Sequence, residues 1–173
     1  KVVVIGGGVV GVSTLYHLAK KGWTDVVLVE RKELTSGSTW HAAGLLPLFN
    51  MSYSVGKLHQ YSVNFYHELE KETGQPVGFS VVSNIRLACN QDRMDEYLYY
   101  SSVAQTVGVE VNFLTPEQVA QAWPMANTEG LIGAIQHPDD GYIQSADLTQ
   151  ALAKGARARG AAIYRNTAVV DLE

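Results

Sequence analysis

The 173-residue sequence predicts an α/β fold, a parallel sheet with helices, interrupted by a long α+β segment. Three observations carry this expectation. Residues 1–30 read strand–helix–strand, and residues 145–165 read as another helix leading into a strand. Between them, residues 51–142 change character and mix helices with runs that read as antiparallel strands. The predicted organisation is one discontinuous domain, 1–50 and 143–173, holding an inserted segment, 51–142, that belongs to a second domain.

The elements follow in order. "KVVVI" is a continuous apolar run, expected as a strand buried on both faces. A helix runs from Val9 to Lys21 with Leu15, Leu18 and Ala19 toward the sheet, and Gly22 stands at its stop. "DVVLVE" (25–30) is the second parallel strand, reached by a right-handed crossover. Leu58, Tyr61, Phe65 and Leu69 recur at helical spacing over 54–73, and Gly74 ends the run. Residues 79–89 read as one or two strands and 91–106 as a helix. Thr115-Pro116-Glu117 starts another helix with a hydroxyl cap, a proline at the first position and an acid in the first turn; Pro124 ends it. Residues 130–136 read as a strand, and "HPDDGY" (137–142) as a turn with local Asx hydrogen bonds. Ser145 is expected to cap a helix to about Arg159, with Gly160 as its stop. "AAIYR" and "AVVDLE" read as strands.

Composition narrows the function classes. Hydrophobic residues make up 46% and charged residues 17%, a globular balance. A net charge of −4 without a basic block argues against a nucleic-acid partner. No apolar run reaches the roughly 18 residues of a membrane span. The single Cys89 excludes an intrachain disulfide and reads as a small buried core residue in a reducing compartment. His17 reads as packing or surface. His59 and His67, eight apart, miss the i,i+4 spacing of a helical metal pair, and no metal site is expected. Tyr97, Tyr99 and Tyr100 read as helix packing rather than a cage for a methylated ammonium. The chain opens and closes on strand-like runs without an initial Met, which predicts an excerpt of a longer chain and makes a missing targeting segment uninformative.

Chemistry first enters at "GGGVVG". Gly6, Gly8 and Gly11 fit G-x-G-x-x-G directly after a strand and at the start of a helix. The first glycine permits a tight turn, the second lets the backbone approach a pyrophosphate, and the third lets helix and strand pack closely. The helix N-terminus then presents free N–H groups to the anion. Glu30, nineteen residues after Gly11, closes the second strand and can accept from a ribose hydroxyl; it would repel a 2′-phosphate and so disfavours NADP. The motif leaves FAD and NAD both open.

The next stretch, "TSGSTWHAAGLLP" (35–47), is lined by small residues yet carries His41. Small side chains and hydroxyls there suit a second phosphate and a flat ring close to the backbone. Together with the glycine fingerprint, Glu30 and "PDDGYIQSADLTQALAKGARARGA", this stretch resembles the D-amino-acid-oxidase-type flavoproteins, and within them the dimethylglycine and sarcosine dehydrogenase branch. The resemblance covers nearly the whole chain, and "STWHAAGL" is its most specific part. It implies a Rossmann-type, GR2-like FAD-binding domain with part of a substrate domain. It implies FAD held by Gly6, Gly8, Gly11, Glu30, Ser38, Thr39, His41, Ala43, Gly44 and Val169, with His41 bonded to the flavin 8α-methyl carbon and Val169 contacting adenine. It implies oxidative demethylation of an N-methylated glycine by hydride transfer to flavin N5, with the catalytic groups beyond Glu173. Tetrahydrofolate, an electron-transfer flavoprotein, and a bacterial cytoplasmic or eukaryotic mitochondrial-matrix location belong to the same implication. Other readings are a non-covalent glycine or D-amino-acid oxidase, a nucleotide-binding sensor module without catalysis, and a plain NAD-binding protein.

Overall fold

A computed structural model describes residues 1–48 and 52–172. The expected boundary at 50/51 and Glu173 lie outside the described residues. The chain divides into two compact units: the first holds 1–44, 64–79 and 143–173, the second 45–63 and 80–142.

The first unit is built on a parallel sheet of β1 (Val2–Ile5), β2 (Val26–Val29) and β9 (Ala162–Tyr164) in the order β1-β2-β9. Val2 pairs with Val26 and Val27 with Ala162, so the third strand of the sheet arrives only after the whole second unit has been traversed. Helices α1 (Val9–Lys20) and α5 (Ser145–Ala158) lie side by side, close enough at Gly155 that a Cβ there would meet the Tyr16 ring. Val12, Leu15, Tyr16 and Ala19 of α1 are buried, with Leu18 half-buried at the margin. The latter half of α2 (Tyr53–Thr73) adds Phe65 and Leu69 to this core. Glu72 accepts from the Tyr16 hydroxyl at 2.8 Å and from Arg159 at 2.6 Å, tying α2 to α1 and α5.

Three expectations for this unit are corrected. β1 alternates half-buried and exposed positions, with Val3 and Ile5 exposed, because the first unit's described helices do not cover that face. Ser145 is the first residue of α5, not its cap; Gln144 occupies the cap without a side-chain bond. Residues 168–172 form no strand: among the described residues none pairs with them in a ladder, so valine's β preference has no strand partner to act through.

The second unit centres on an antiparallel sheet, β5 (Asn84–Ala88), β7 (Gly133–His137) and β6 (Asn112–Leu114), in the order β5-β7-β6. β7 is buried on both faces. On one, Ile135 packs with Tyr97, Tyr100 and Ala104 of α3 (Gln91–Val107); on the other, Ala134 packs with Val119 of α4 (Pro116–Ala122). Asn90 caps α3, and Gly108 ends it in the left-handed conformation. Thr115 and Gln118 form a reciprocal capping box on α4. A small second sheet joins β3 (Leu45–Leu46), β8 (Gly141–Tyr142) and β4 (Ser80–Val81), so the expected turn at 137–142 contains both a strand end and a short strand. Cys89 is exposed, not buried: it sits past the end of β5, just before the α3 cap. Among the described residues no helix is long and apolar enough to cross a membrane.

Candidate functional site

Only Gly6, Gly7 and Gly8 separate β1 from α1. Gly6 has φ +109° and donates its N–H to Val29 at 2.9 Å. At Gly11 a Cβ would run into the Gly6 carbonyl, so the helix can lie this near the turn only because that residue has no side chain. Gly8 caps α1 without a side-chain bond, and the first turn carries no acid, which leaves the positive end of the helix uncompensated by its own residues.

Glu30 follows β2 directly. Its Oε2 accepts from the Gly7 N–H at 2.7 Å and its Oε1 from the Lys32 N–H at 2.8 Å. Partial burial alone would push this carboxyl up; the amides of Gly7, Lys32 and Arg31 and the Arg31 charge outweigh it, holding the group below the usual carboxylate range. An ionised carboxylate is thereby aimed by two backbone amides, and each oxygen keeps a lone pair for a further donor.

Two hollows meet at Glu30. The larger, about 450 Å³, is walled by the glycine loop, Glu30–Lys32 and Ser36–Thr39 and reaches Ala42. The smaller, about 190 Å³, lies among Ile5, Val29, Glu30, Arg31 and Thr167–Val169. The chain past β9 is docked here by the Thr167 N–H on the Glu30 carbonyl at 2.8 Å. A glycine wall, an open helix N-terminus and an anchored carboxylate have the chemistry that phosphates and a ribose diol require. Gly6, Gly8, Glu30, Ser38 and Thr39 thus share one hollow, and Val169 borders the adjoining one. Gly11 lies behind the loop as a packing residue. Sequence reasoning missed Arg31 and Lys32 on the larger hollow's wall; two cations directly after the strand-end acid were the available signal.

The loop that follows is held at several points. Thr35, at φ +69°, donates its N–H to the Gly7 carbonyl at 3.0 Å. Ser38–His41 form a 3-10 turn in which only Thr39 is buried, 8% exposed. Its Oγ1 accepts from the Val9 N–H at 2.9 Å. Further on, Gly44 has φ +74°; it accepts from the Ile143 N–H at 2.8 Å, and a Cβ there would collide with the Ile143 carbonyl. His41 stands exposed between these points, outside the lining of both hollows, as do Ala43 and Gly44. Its Nδ1 lies 3.1 Å from the Gly37 carbonyl, and since a carbonyl only accepts, Nδ1 carries the proton. A neutral ring then has its lone pair on Nε2. The Trp40 ring lies 4.5 Å away, centroid to centroid.

The second unit contains a different polar cluster. His137 is 1% exposed, and neither ring nitrogen has a hydrogen-bond partner among the described residues. Burial, with Arg86 nearby, pulls its pKa down to about 4. Burial pushes the neighbouring Tyr100 up to about 12. Asp140 is also buried, which raises its carboxyl; its Oδ1 accepts from the Leu48 N–H at 2.8 Å. The expectation of local Asx bonds is corrected: this carboxylate ties together residues 92 positions apart.

Comparison with known proteins agrees with the first unit's design. The family model described as "DAO: FAD dependent oxidoreductase" matches residues 1–173. Human mitochondrial dimethylglycine dehydrogenase is 44% identical over 171 residues, and human mitochondrial sarcosine dehydrogenase 41% over 172; each alignment covers 99% of this chain but 20% and 19% of those proteins. The crystal structure of glycine oxidase from Bacillus cereus superposes with a TM-score of 0.83 at 32% identity, over 100% of this chain and 48% of that one. The chain therefore spans about a fifth of the length of the curated relatives it matches. It belongs to the DAO family of FAD-dependent oxidoreductases.

Proposed function

We propose that the whole protein oxidises the N-methyl group of dimethylglycine or sarcosine, with FAD bound in the first unit and attached to His41. The observation that carries this reading is the His41 geometry: an exposed imidazole whose Nδ1 is engaged by Gly37, leaving Nε2 as the nucleophilic atom. Bound FAD would supply a hydride acceptor at N5 and, at its 8α-methyl carbon, the partner for the imidazole. The glycine loop and the start of α1 would hold the pyrophosphate, with Gly11 allowing their close packing. Glu30 would take the ribose hydroxyls. Ser38, Thr39, Ala43 and Gly44 would keep the path to the ring narrow, and Val169 would border the adenine. The second unit contributes to the substrate domain in this reading, and the groups that contact the amine come from beyond residue 173. Relatives named for dimethylglycine and sarcosine support the substrate class. An electron-transfer flavoprotein as acceptor, a folate-binding region, and a matrix location in a eukaryote are parts of the same proposal.

Acid denaturation tests it. Yellow colour should stay with the precipitated chain, and the peptide holding His41 should weigh one FAD more than the bare peptide. His41→Ala should release all flavin into the supernatant. Flavin that leaves the unaltered protein in acid would point instead to a non-covalent oxidase of the glycine-oxidase kind.

A further inference from the structure

We propose that Thr39 is a positioning residue: its hydroxyl pins the Trp40–His41 turn to the first turn of α1, and this sets where the imidazole stands. The inference rests on the covalent reading of His41. Thr39 is the one buried residue of an otherwise exposed turn. Its polar atom is spent on the Val9 N–H, one of the amides that a helix start leaves without an internal partner. The fit is close, since a Cβ on Gly8 would lie 3.0 Å from the same oxygen. Gly8 and Thr39 are therefore matched, the missing side chain of one making room for the hydroxyl of the other. Thr35 anchors the loop's entry on Gly7 and Gly44 its exit on Ile143. Thr39 is the anchor nearest to His41, two residues away, and no other side-chain bond ties the turn to α1 among the described residues.

Attachment of bound FAD would make one C–N bond and break one C–H bond at the 8α carbon and one N–H bond of the ring, with the two hydrogens and the electron pair passing to dioxygen as hydrogen peroxide. Such a step needs the nitrogen within bonding reach of the methyl edge, where a displacement of about 1 Å costs on the order of a hundredfold in rate.

The test uses the full-length chain, prepared without flavin and then given FAD. Attachment is followed by intact mass, and extractable flavin is measured in parallel. Thr39→Val keeps the shape and removes the hydroxyl; it should attach FAD at least about tenfold more slowly, while flavin still binds extractably. Thr39→Ser should restore the rate. Hydrogen exchange at the peptide containing Val9 should quicken in the Val variant, even without FAD, and return to normal in the Ser variant. Attachment by Thr39→Val at the unaltered rate overturns the proposal, as does unchanged exchange. If Thr39→Val fails to fold, Thr39→Ala takes the same measurements. If the unaltered chain carries only extractable flavin, the covalent reading falls, and the exchange comparison alone decides whether Thr39 is the pin.

Discussion

The two units treat their polar groups in opposite ways. In the first, Glu30 is partly open, stays charged, and is aimed by backbone amides at the meeting point of two hollows. In the second, His137, Tyr100 and Asp140 are buried, and burial drives each toward its neutral form. A strongly shifted pKa is often a mark of a functional site. Here the large shifts, those of His137 and Tyr100, lie in the second unit's core, near the Asp140 carboxylate that accepts from the Leu48 N–H, while in the larger hollow Glu30 is held in its charged form. Availability of the charge, rather than size of the shift, separates a candidate site from a strut.

Three experiments on the whole protein would break or sharpen this contrast. The largest effect is expected at Gly11. Gly11→Ala drives a methyl into the Gly6 carbonyl, a backbone group that cannot turn aside, and overpacking of this kind should cost about 3 kcal/mol, the upper end of its usual range; thermal melting should fall and purified protein should be colourless. A stable yellow variant would show that the glycine turn can give way.

Next is the pH response. His137 has a folded-state pKa lowered from 6.5 to about 4. The unfolded chain therefore takes up the proton first, and stability present above pH 6.5 drains away as pH falls toward 4, by up to about 3 kcal/mol. Asp140, raised by burial, binds its proton more readily when folded and offsets part of the loss at the low end. Chemical denaturation at pH 7 and pH 4.5 measures the slope, and His137→Leu should flatten it. An unchanged slope would assign the dependence elsewhere.

The smallest effect is at Glu30. Glu30→Gln keeps the size but loses charge-assisted bonds worth roughly 1.5–3 kcal/mol and sets its NH2 against one of the two backbone N–H groups, of Gly7 and Lys32, that the carboxylate accepts from, so FAD affinity should fall about tenfold to a hundredfold and the flavin-free chain should also melt somewhat lower. Measured in His41→Ala, where binding is reversible, this isolates the carboxylate. Equal affinity would remove Glu30 from the proposed ribose contact.

Much of the first unit was legible because its signals are local. Gly6, Gly8 and Gly11 encode a turn whose steric demands are met within a few residues, and Glu30 ends a strand whose length the apolar run marks. The helices over 53–73, 91–107 and 116–122 were similarly readable from spacing and caps. The misses share one cause. Cys89, Asp140 and residues 168–172 depend on what the fold brings beside them, and short strands such as β6 and β8 exist only through their partners.

The sequence by itself determined the parallel β-α-β start, the glycine turn, the acid at the strand end and the reactive residue type in the following loop. Each is marked by a short run of residues, even where, as for Glu30 on the Gly7 amide, the contact it makes lies 23 residues away. The tertiary structure alone decided that Thr39 turns inward to the Val9 amide while His41 turns outward, and that Asp140 holds Leu48 from 92 residues away. Hydroxyls and carboxylates carry no sequence mark for which distant amide they will meet. That choice is made when burial leaves an amide that must be satisfied and a single side chain within reach.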